Sequence, residues 1–413
     1  KTMKRAIDDG FKNAISAIVD GQVTTLITGI VLAIFGTGPI KGFANTLIIG
    51  IITSFITAVF LTRILLVSYA NREKAKELPF TTNFTKNWFQ NVKIDFIGNR
   101  KIAYIISGTL IAISLISFAT RGLSLGVDFS GGRNYVVSFD KPVKTDDVRK
   151  MLSNSFDGTS AQVITIGSDN QVRISTKFKI DDNSENIDDE VEGRLYNGLK
   201  PLLNASVTKE QFVKENIKSS QKVGPTIADD IKTAAVWAVI FSLLAIGLYI
   251  FIRFRELGYA LGATIALAHD ALITIGTFSL LYSIMPFSME VDQSFIAAIL
   301  TVVGYSVNDT VIIFDRIREN VHLYPKRDRL TTMNDAINAT LSRTFSTAMS
   351  TIIVLIAIFI FGGETIRGFI FAMLFGITIG TYSSVFVASP ITFEFFKRKH
   401  AKNELKASQE LKK

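Results

Sequence analysis

The chain has 413 residues, of which 48% are apolar, 20% are charged and 32 are phenylalanine, and its mean hydropathy is +0.33. This composition excludes an ordinary soluble protein, and the charged fraction excludes a chain that lies wholly inside a membrane. The chain has no cysteine, which excludes disulfide scaffolds, cysteine zinc sites and cysteine nucleophiles. The formal net charge of +9 indicates nucleic-acid binding, an anionic membrane surface, or orientation in a bilayer.

Eight segments are apolar and long enough to cross the hydrocarbon core, which takes about 20 residues in a helix. A charged amphipathic segment, Lys1–Lys12, precedes the first of them, and Gly or Pro residues close several of them. We therefore predict a polytopic α-helical membrane protein. Its predicted spans are 22–36, 43–67, 102–119, 231–252, 258–284, 293–314, 344–361 and 367–391.

One long polar interval, residues 120–230, separates the third and fourth predicted spans and alternates strand and helix patterns. The order β-α-β-β-α-β predicts a small ferredoxin-like α+β domain, with a different packing of the same elements as the alternative. The predicted strands are Arg133–Phe139, Ala161–Gly167, Asn170–Lys177 and Phe212–Val223, and the predicted helices are Thr145–Phe156 and Ile187–Leu203.

Basic residues predict the orientation. Segments 61–101 and 391–413 are rich in Lys and Arg, whereas residues 120–230 hold 15 basic and 17 acidic residues. Because cytoplasmic segments carry the excess of Lys and Arg, both ends of the chain are predicted to be cytoplasmic and the polar domain to lie outside. The predicted division is 1–67 with two spans, a linker 68–101, a span 102–119, the outer domain 120–230, five spans in 231–395 and a basic tail 396–413. The net charge is then an orientation signal, and no nucleic-acid partner is expected.

Two apolar stretches of the chain resemble each other. Residues 35–60 match residues 361–386 at nine of 26 positions with an offset of 326 and no gap, including Gly36, Gly42 and Gly50. Internal repeats build many transporters, with the working site at the repeat interface. The alternative is coincidence between two apolar segments. Because almost nothing precedes the first copy, we expect that about half of the protein lies before Lys1.

Inserting an ionisable side chain at membrane depth costs about 2.5 kcal/mol or more on insertion scales, so each such residue is expected to have a structural or functional role. Asp309 lies in the sixth predicted span and Arg343 at the start of the seventh. Each belongs to a polar stripe with i, i+4, i+7, i+8 spacing, so the two stripes are candidates to face each other. The first stripe is Thr301, Tyr305, Asn308 and Asp309, and the second is Arg343, Thr347, Ser350 and Thr351.

A carboxyl and an arginine in this setting can relay protons. Burial favours the protonated carboxyl and a nearby Arg⁺ favours the carboxylate, so a moving Arg343 would switch Asp309. A static buried ion pair that locks the helix bundle is the alternative.

His269 and Asp270, in the middle of the fifth predicted span, are secondary candidates, with a hydrogen-bonded packing pair as their alternative. We predict no catalytic residue, no metal site and no cofactor other than protons as the coupling ion.

Several motifs resemble those of the SecDF family of protein-export membrane proteins. Gly126–Gly132 is similar to the Gly-Gly signature that opens the SecF outer domain, and Val303–Thr310 with Phe314–Asn320 is similar to the SecF membrane motif. Ala268–Ala271 and Ser342–Thr344 also match SecF, and residues 6–67 resemble the end of SecD. The resemblance covers nearly the whole chain and implies two SecD-like and six SecF-like helices.

The resemblance implies a function. The family belongs to the resistance-nodulation-division superfamily and uses the proton-motive force to help draw unfolded preproteins out on the periplasmic side of the bacterial inner membrane. It implies proton passage through Asp309 and Arg343, and a second aspartate in a SecD half that this chain lacks. The implied partners are that missing half, the SecY–SecE–SecG channel, the SecA ATPase, YajC and YidC.

Two other functions compete with this one. A proton-driven exporter of small molecules or lipids from the same superfamily is the alternative, although the outer domain of about 110 residues is short for one. A membrane enzyme finds little support, because the three His residues do not cluster and no nucleophile elbow or Walker sequence appears.

Overall fold

The structure is a computed structural model that describes residues 2–410 except 37, 73–91, 160, 167, 183 and 185. Within these residues, eight helices are long and apolar enough to cross a membrane. All eight predicted spans are therefore confirmed as helices. Most of the predicted linker, residues 73–91, lies outside the described residues.

Three of these helices precede the polar domain: α1 (Met3–Phe35), α2 (Ile40–Ala70) and α3 (Arg100–Arg121). Helix α1 begins well before the predicted residue 22, because the charged segment after Lys1 continues the same helix. Helix α2 contains one π-helical turn, Thr57–Leu61.

The polar domain is a four-stranded antiparallel sheet with the strand order β2-β3-β1-β4. Its two helices, α4 and α5, share a buried core with the sheet, built around Val137, Leu152, Val172 and Leu195. This connectivity confirms the predicted ferredoxin-like domain. The elements in chain order are β1 (Gly132–Ser138), α4 (Thr145–Ser155), β2 (Ala161–Ile166), β3 (Ser168–Thr176), α5 (Ile187–Leu199) and β4 (Ile217–Val223).

The last predicted strand, Phe212–Val223, is wrong over its first half. Residues Phe212–Asn216 form a π-helical turn, and only Ile217–Val223 is a strand. The turn continues a short helix that begins at a capping box, in which Thr208 and Gln211 satisfy each other's backbone N–H groups. Phe212 is fully buried in the domain core, so tertiary packing holds this segment in its helical turn.

Five long helices follow: α6 (Pro225–Phe254), α7 (Leu257–Leu281), α8 (Gln293–Leu323), α9 (Arg329–Phe361) and α10 (364–410). Helix α10 contains a π-helical turn and extends through most of the predicted basic tail. Helix α8 is central, since 78% of its apolar window is buried, against 11% for α2. Helix α8 therefore passes through the interior of the bundle, where its side chains contact several other helices.

The predicted repeat is confirmed in the backbone. Helices α1 and α9 both end at a glycine, Gly36 and Gly362, whose N–H donates to the carbonyl four residues earlier. At both glycines an added Cβ would lie 2.3 Å from that carbonyl oxygen. The following helices, α2 and α10, carry their π-helical turns at Thr57–Leu61 and Ser384–Ala388, which differ from the 326 offset by one residue.

Candidate functional site

Asp309 lies in the interior of the helix bundle. Its residue is 2% exposed, and its Oδ2 has no hydrogen-bond partner among the described residues. The neighbouring residues on α8, Val307 and Val311, belong to the apolar core of the bundle. A carboxyl group in such surroundings is costly as a free charge and can be held there as a neutral acid or beside a cation.

The two predicted polar stripes meet at Tyr305. Its hydroxyl donates to the backbone oxygen of Thr347 at 3.2 Å and lies 3.1 Å from the hydroxyl oxygen of Thr351. Helices α8 and α9 therefore face each other through these side chains, as predicted. The hydroxyls of Thr301, Thr347 and Ser350 instead donate to backbone carbonyls of their own helices.

Arg343 is exposed on α9, and no hydrogen bond or ion pair within 4.0 Å joins it to Asp309 in the described part of the chain. The two charges are close enough to interact electrostatically. The structure therefore brings the predicted pair into one region without closing it into an ion pair. The prediction that Arg343 and Asp309 relay protons stays a prediction.

Asn308 does not share the α8–α9 face that its spacing predicts. A Cβ built on Gly21 of α1 would lie 2.1 Å from the Asn308 Oδ1, so the amide packs directly against that glycine. A side chain at position 21 would require the Asn308 amide to move. The contact between α1 and α8 determines the direction of this amide. The periodicity of α8 alone does not reveal that contact.

His269 and Asp270 form a second buried polar group. The His269 Nδ1 lies 3.0 Å from the Asp270 Oδ1, and both residues are at most 3% exposed. Ser306 of α8 and Ser383 of α10 donate to the Asp270 Oδ2 at 2.7 and 2.8 Å. The Nε2 of His269 has no partner among the described residues. The network joins α7, α8 and α10, and it fits both a packing role and a proton-holding role.

A third buried group escaped the sequence analysis. Asp20 of α1 is 3% exposed, and its carboxylate accepts from the Arg253 Nε at 2.8 and 2.9 Å and from the Tyr249 hydroxyl at 2.7 Å. The predicted first span begins at residue 22, so Asp20 falls outside it, at the end of the chain that is predicted to be cytoplasmic. The signal that could have found it is the unbroken helical pattern from Met3 to Phe35.

The family described as "Protein export membrane protein SecD/SecF, C-terminal" matches residues 1–72 and 204–398. The protein translocase subunit SecF of Rhodothermus marinus is 43% identical over 318 residues, which are 77% of this chain and 98% of that protein. This chain belongs to the SecD/SecF family.

Longer relatives of this SecD/SecF protein match nearly the whole chain. The protein translocase subunit SecDF of Thermus thermophilus is 31% identical over 411 residues, which are 98% of this chain and 52% of that protein. The crystal structure of SecDF from that organism, described as a translocon-associated membrane protein, aligns with a TM-score of 0.79 and 28% identity over 96% of this chain and 50% of the other. The chain thus spans about half the length of these SecDF relatives.

The SecD/SecF GG motif matches residues 116–143 of this SecD/SecF protein, which contain the predicted Gly126–Gly132 signature. Gly131 and Gly132 have φ values of 67° and 146°, a region that side chains disfavour, and a Cβ on Gly132 would lie 3.0 Å from the Thr176 oxygen. The two glycines turn the chain from the short helix Val127–Ser130 into β1. The motif is therefore a backbone joint between the membrane helices and the sheet.

The same region carries three contacts between the sheet domain and the loop before α8. Gly126 N–H donates to the Val291 oxygen at 3.0 Å, and Val291 N–H donates to the Ser124 oxygen at 2.7 Å. Arg173 of β3 lies 3.7 Å from the Glu290 carboxylate, whose side chain is 8% exposed. Burial raises the pKa of Glu290, while Arg173 opposes the shift. The sheet is thus fixed to the membrane helices by backbone hydrogen bonds, with the Arg173–Glu290 contact beside them.

Proposed function

We propose that this chain is part of an accessory subunit of the Sec protein translocase that uses the proton-motive force to promote preprotein export. The names of its relatives support the translocase role, since they are translocase subunits SecF and SecDF. The observation that carries the proton step is the buried Asp309, whose Oδ2 has no partner among the described residues while Arg343 stands nearby without an ion pair to it.

The proton step follows from the physics of a buried carboxyl. An Arg⁺ that approaches Asp309 favours the carboxylate and releases a proton, and an Arg⁺ that withdraws favours proton uptake. Helix α9, which carries Arg343, packs on α8 through Tyr305, so a shift of one helix along the other changes the distance between the two charges. Proton uptake and release are then tied to a movement of the bundle.

The proposed orientation places both described ends of the chain in the cytoplasm and the sheet domain on the periplasmic side of the bacterial inner membrane. An unfolded preprotein could be held there by strand addition, because β2 and β4 are the edges of the sheet and β4 is largely exposed. The proposed partners are the SecY–SecE–SecG channel, SecA, YajC, YidC and the remaining SecD portion of the full-length protein.

The test is the Asp309→Asn substitution in the full-length protein, made in the chromosome of its own host. Asparagine keeps the size and cannot carry the charge, so the proton-dependent part of preprotein export should be abolished while ATP-driven export remains. Asp230→Asn, an exposed carboxylate in the first turns of α6 that makes no ion pair in the described residues, is the matched control and should export as the unmodified protein does. Export that still responds to the proton-motive force in the Asp309→Asn protein would disprove the proposal.

A further inference from the structure

A large cavity opens at the end of the helix bundle that lies away from the sheet domain. It has a volume of about 820 Å³ and is enclosed by the α6–α7 connection, the α8–α9 connection and the last part of α10. None of the residues discussed for the proton step lines it. It lies where the helices leave the apolar interior, and by the charge pattern this is the cytoplasmic boundary.

The lining of this cavity is strongly basic: seven Lys or Arg residues and two carboxylates. Both carboxylates are already engaged, since Glu256 pairs with Lys399 at 2.9 Å and Asp328 accepts from the Thr331 N–H at 3.0 Å. Within the described part of the chain, five cations of the lining make no ion pair or side-chain hydrogen bond. They are Arg255, Arg318, Lys326, Arg329 and Lys397.

Aromatic side chains line the same cavity. Tyr259 is 3% exposed, and its ring centroid lies 5.0 Å from that of Phe254 and 5.1 Å from that of Phe396. The Tyr259 hydroxyl makes no hydrogen bond within the described ranges. A buried ring with a free hydroxyl therefore lies beside unpaired cations, which is an amphipathic environment.

We propose that this cavity binds the phosphate headgroup of an anionic phospholipid from the cytoplasmic leaflet. The guanidinium groups of Arg255, Arg318 and Arg329 suit the paired oxygens of a phosphodiester, and Lys326 and Lys397 add point charges. The aromatic rings offer an apolar surface to the first part of an acyl chain, which a soluble phosphate lacks. Basic pockets between helices at this boundary are suited to such headgroups.

The headgroup would join parts of the chain that are far apart in sequence. Arg255 ends α6 in a left-handed backbone conformation (φ 57°), Arg318 lies on α8, Arg329 begins α9 and Lys397 lies on α10. One bound anion would neutralise repulsion among these cations and hold four helix ends together. The site is independent of the proton step, so either proposal can fail without the other.

The test uses the whole chain in nanodiscs and measures bound lipid by native mass spectrometry. Dioleoylphosphatidylglycerol should be retained in preference to dioleoylphosphatidylcholine. The triple substitution Arg255→Gln, Arg318→Gln and Lys326→Gln should lower this retention on the order of 100-fold, since each cation near an anionic surface contributes about fivefold. A matched triple substitution, Lys4→Gln, Arg5→Gln and Lys12→Gln on α1, removes the same charge away from the cavity and should retain the lipid.

Three results would overturn the proposal. Equal loss of bound lipid in both triple variants would show that general surface charge retains the lipid. Unchanged lipid retention in the cavity variant would show that the lipid does not bind in the cavity, and an acidic protein segment would then be the expected occupant. Displacement of the lipid by an excess of inorganic phosphate would make the site one for free phosphate. The single substitution Lys326→Gln, in the loop before α9, serves as a milder variant that should lower retention about fivefold if the triple variant fails to fold.

Discussion

The ion pair between Asp20 and Arg253 gives a sharp test of how α1 is held against α6. The perturbation is Arg253→Gln, which removes the cation and keeps most of the side-chain volume. Asp20 of α1 is then left as a buried carboxylate with the Tyr249 hydroxyl as its remaining side-chain donor among the described residues. The effect should therefore appear as a loss of stability at the contact between α1 and α6.

The magnitude follows from the geometry. Removing one partner of a buried ion pair costs about 3–5 kcal/mol, because the other charge stays buried without compensation. The Arg253 side chain is 25% exposed and the Tyr249 hydrogen bond survives, so the lower end applies. We expect the free energy of unfolding to fall by about 3 kcal/mol. In an Asp20→Asn background, where no charge is stranded, the same substitution should cost about 1 kcal/mol.

The assay is reversible denaturation of the purified chain in mixed micelles, monitored by circular dichroism. Lys232→Gln on the same helix is the matched control: Lys232 is exposed and makes no ion pair in the described residues, so its loss should change stability by less than about 0.5 kcal/mol. Equal stability of the Arg253→Gln and Lys232→Gln proteins would refute the reasoning. So would a double variant, Asp20→Asn with Arg253→Gln, that is no more stable than Arg253→Gln alone.

Two further predictions concern the sheet domain and helix packing. Burial raises the pKa of Glu290 above its ordinary 4.5, so the folded protein favours the neutral carboxyl. The contribution of this neutral form to the unfolding free energy is complete below pH 4.5 and is lost as the pH rises through the raised pKa. Glu290→Gln should therefore flatten the fall in thermal stability as the pH rises above about 4.5, and an unchanged pH slope would contradict this. A Cβ on Gly276 would lie 2.1 Å from the Cβ of Ser114, so Gly276→Ala should cost about 1–3 kcal/mol of unfolding free energy. Gly108→Ala, with open space around it, should cost nothing, and equal losses would show that the α3–α7 contact is not tight.

Much of the fold could be predicted because its signals are local. Apolar length alone locates the eight helices, and alternation with turn residues locates three of the four strands. The repeat was visible because Gly36 and Gly362 must both end a helix at the same point of the pattern. The segment Phe212–Asn216 was missed because a capping box and core burial overrode a strand-like composition.

The site could be predicted only in part, because periodicity identifies the polar face of a helix but does not show which other helix that face contacts. Tyr305 does meet Thr347 across the two stripes, but Asn308 turns to Gly21 of α1. The ion pair of Asp20 was missed because the predicted first span begins only at residue 22, so Asp20 fell among the charged residues predicted to be cytoplasmic. These contacts depend on which helices pack together, and the sequence of one helix does not contain that information.

Helix α8 links the buried carboxyl to the edge of the sheet domain by one continuous helix. Asp309 and the first residue of the helix, Gln293, are separated by about 24 Å of unbroken helix, and the backbone of Val291 just before it is bonded to the segment that opens the sheet domain. A tilt of about 10° about Asp309 would therefore move the Gln293 end of the helix by about 4 Å. Because Val291 is bonded to the segment that precedes the sheet, a small angular change near the carboxyl would be transmitted to the sheet domain.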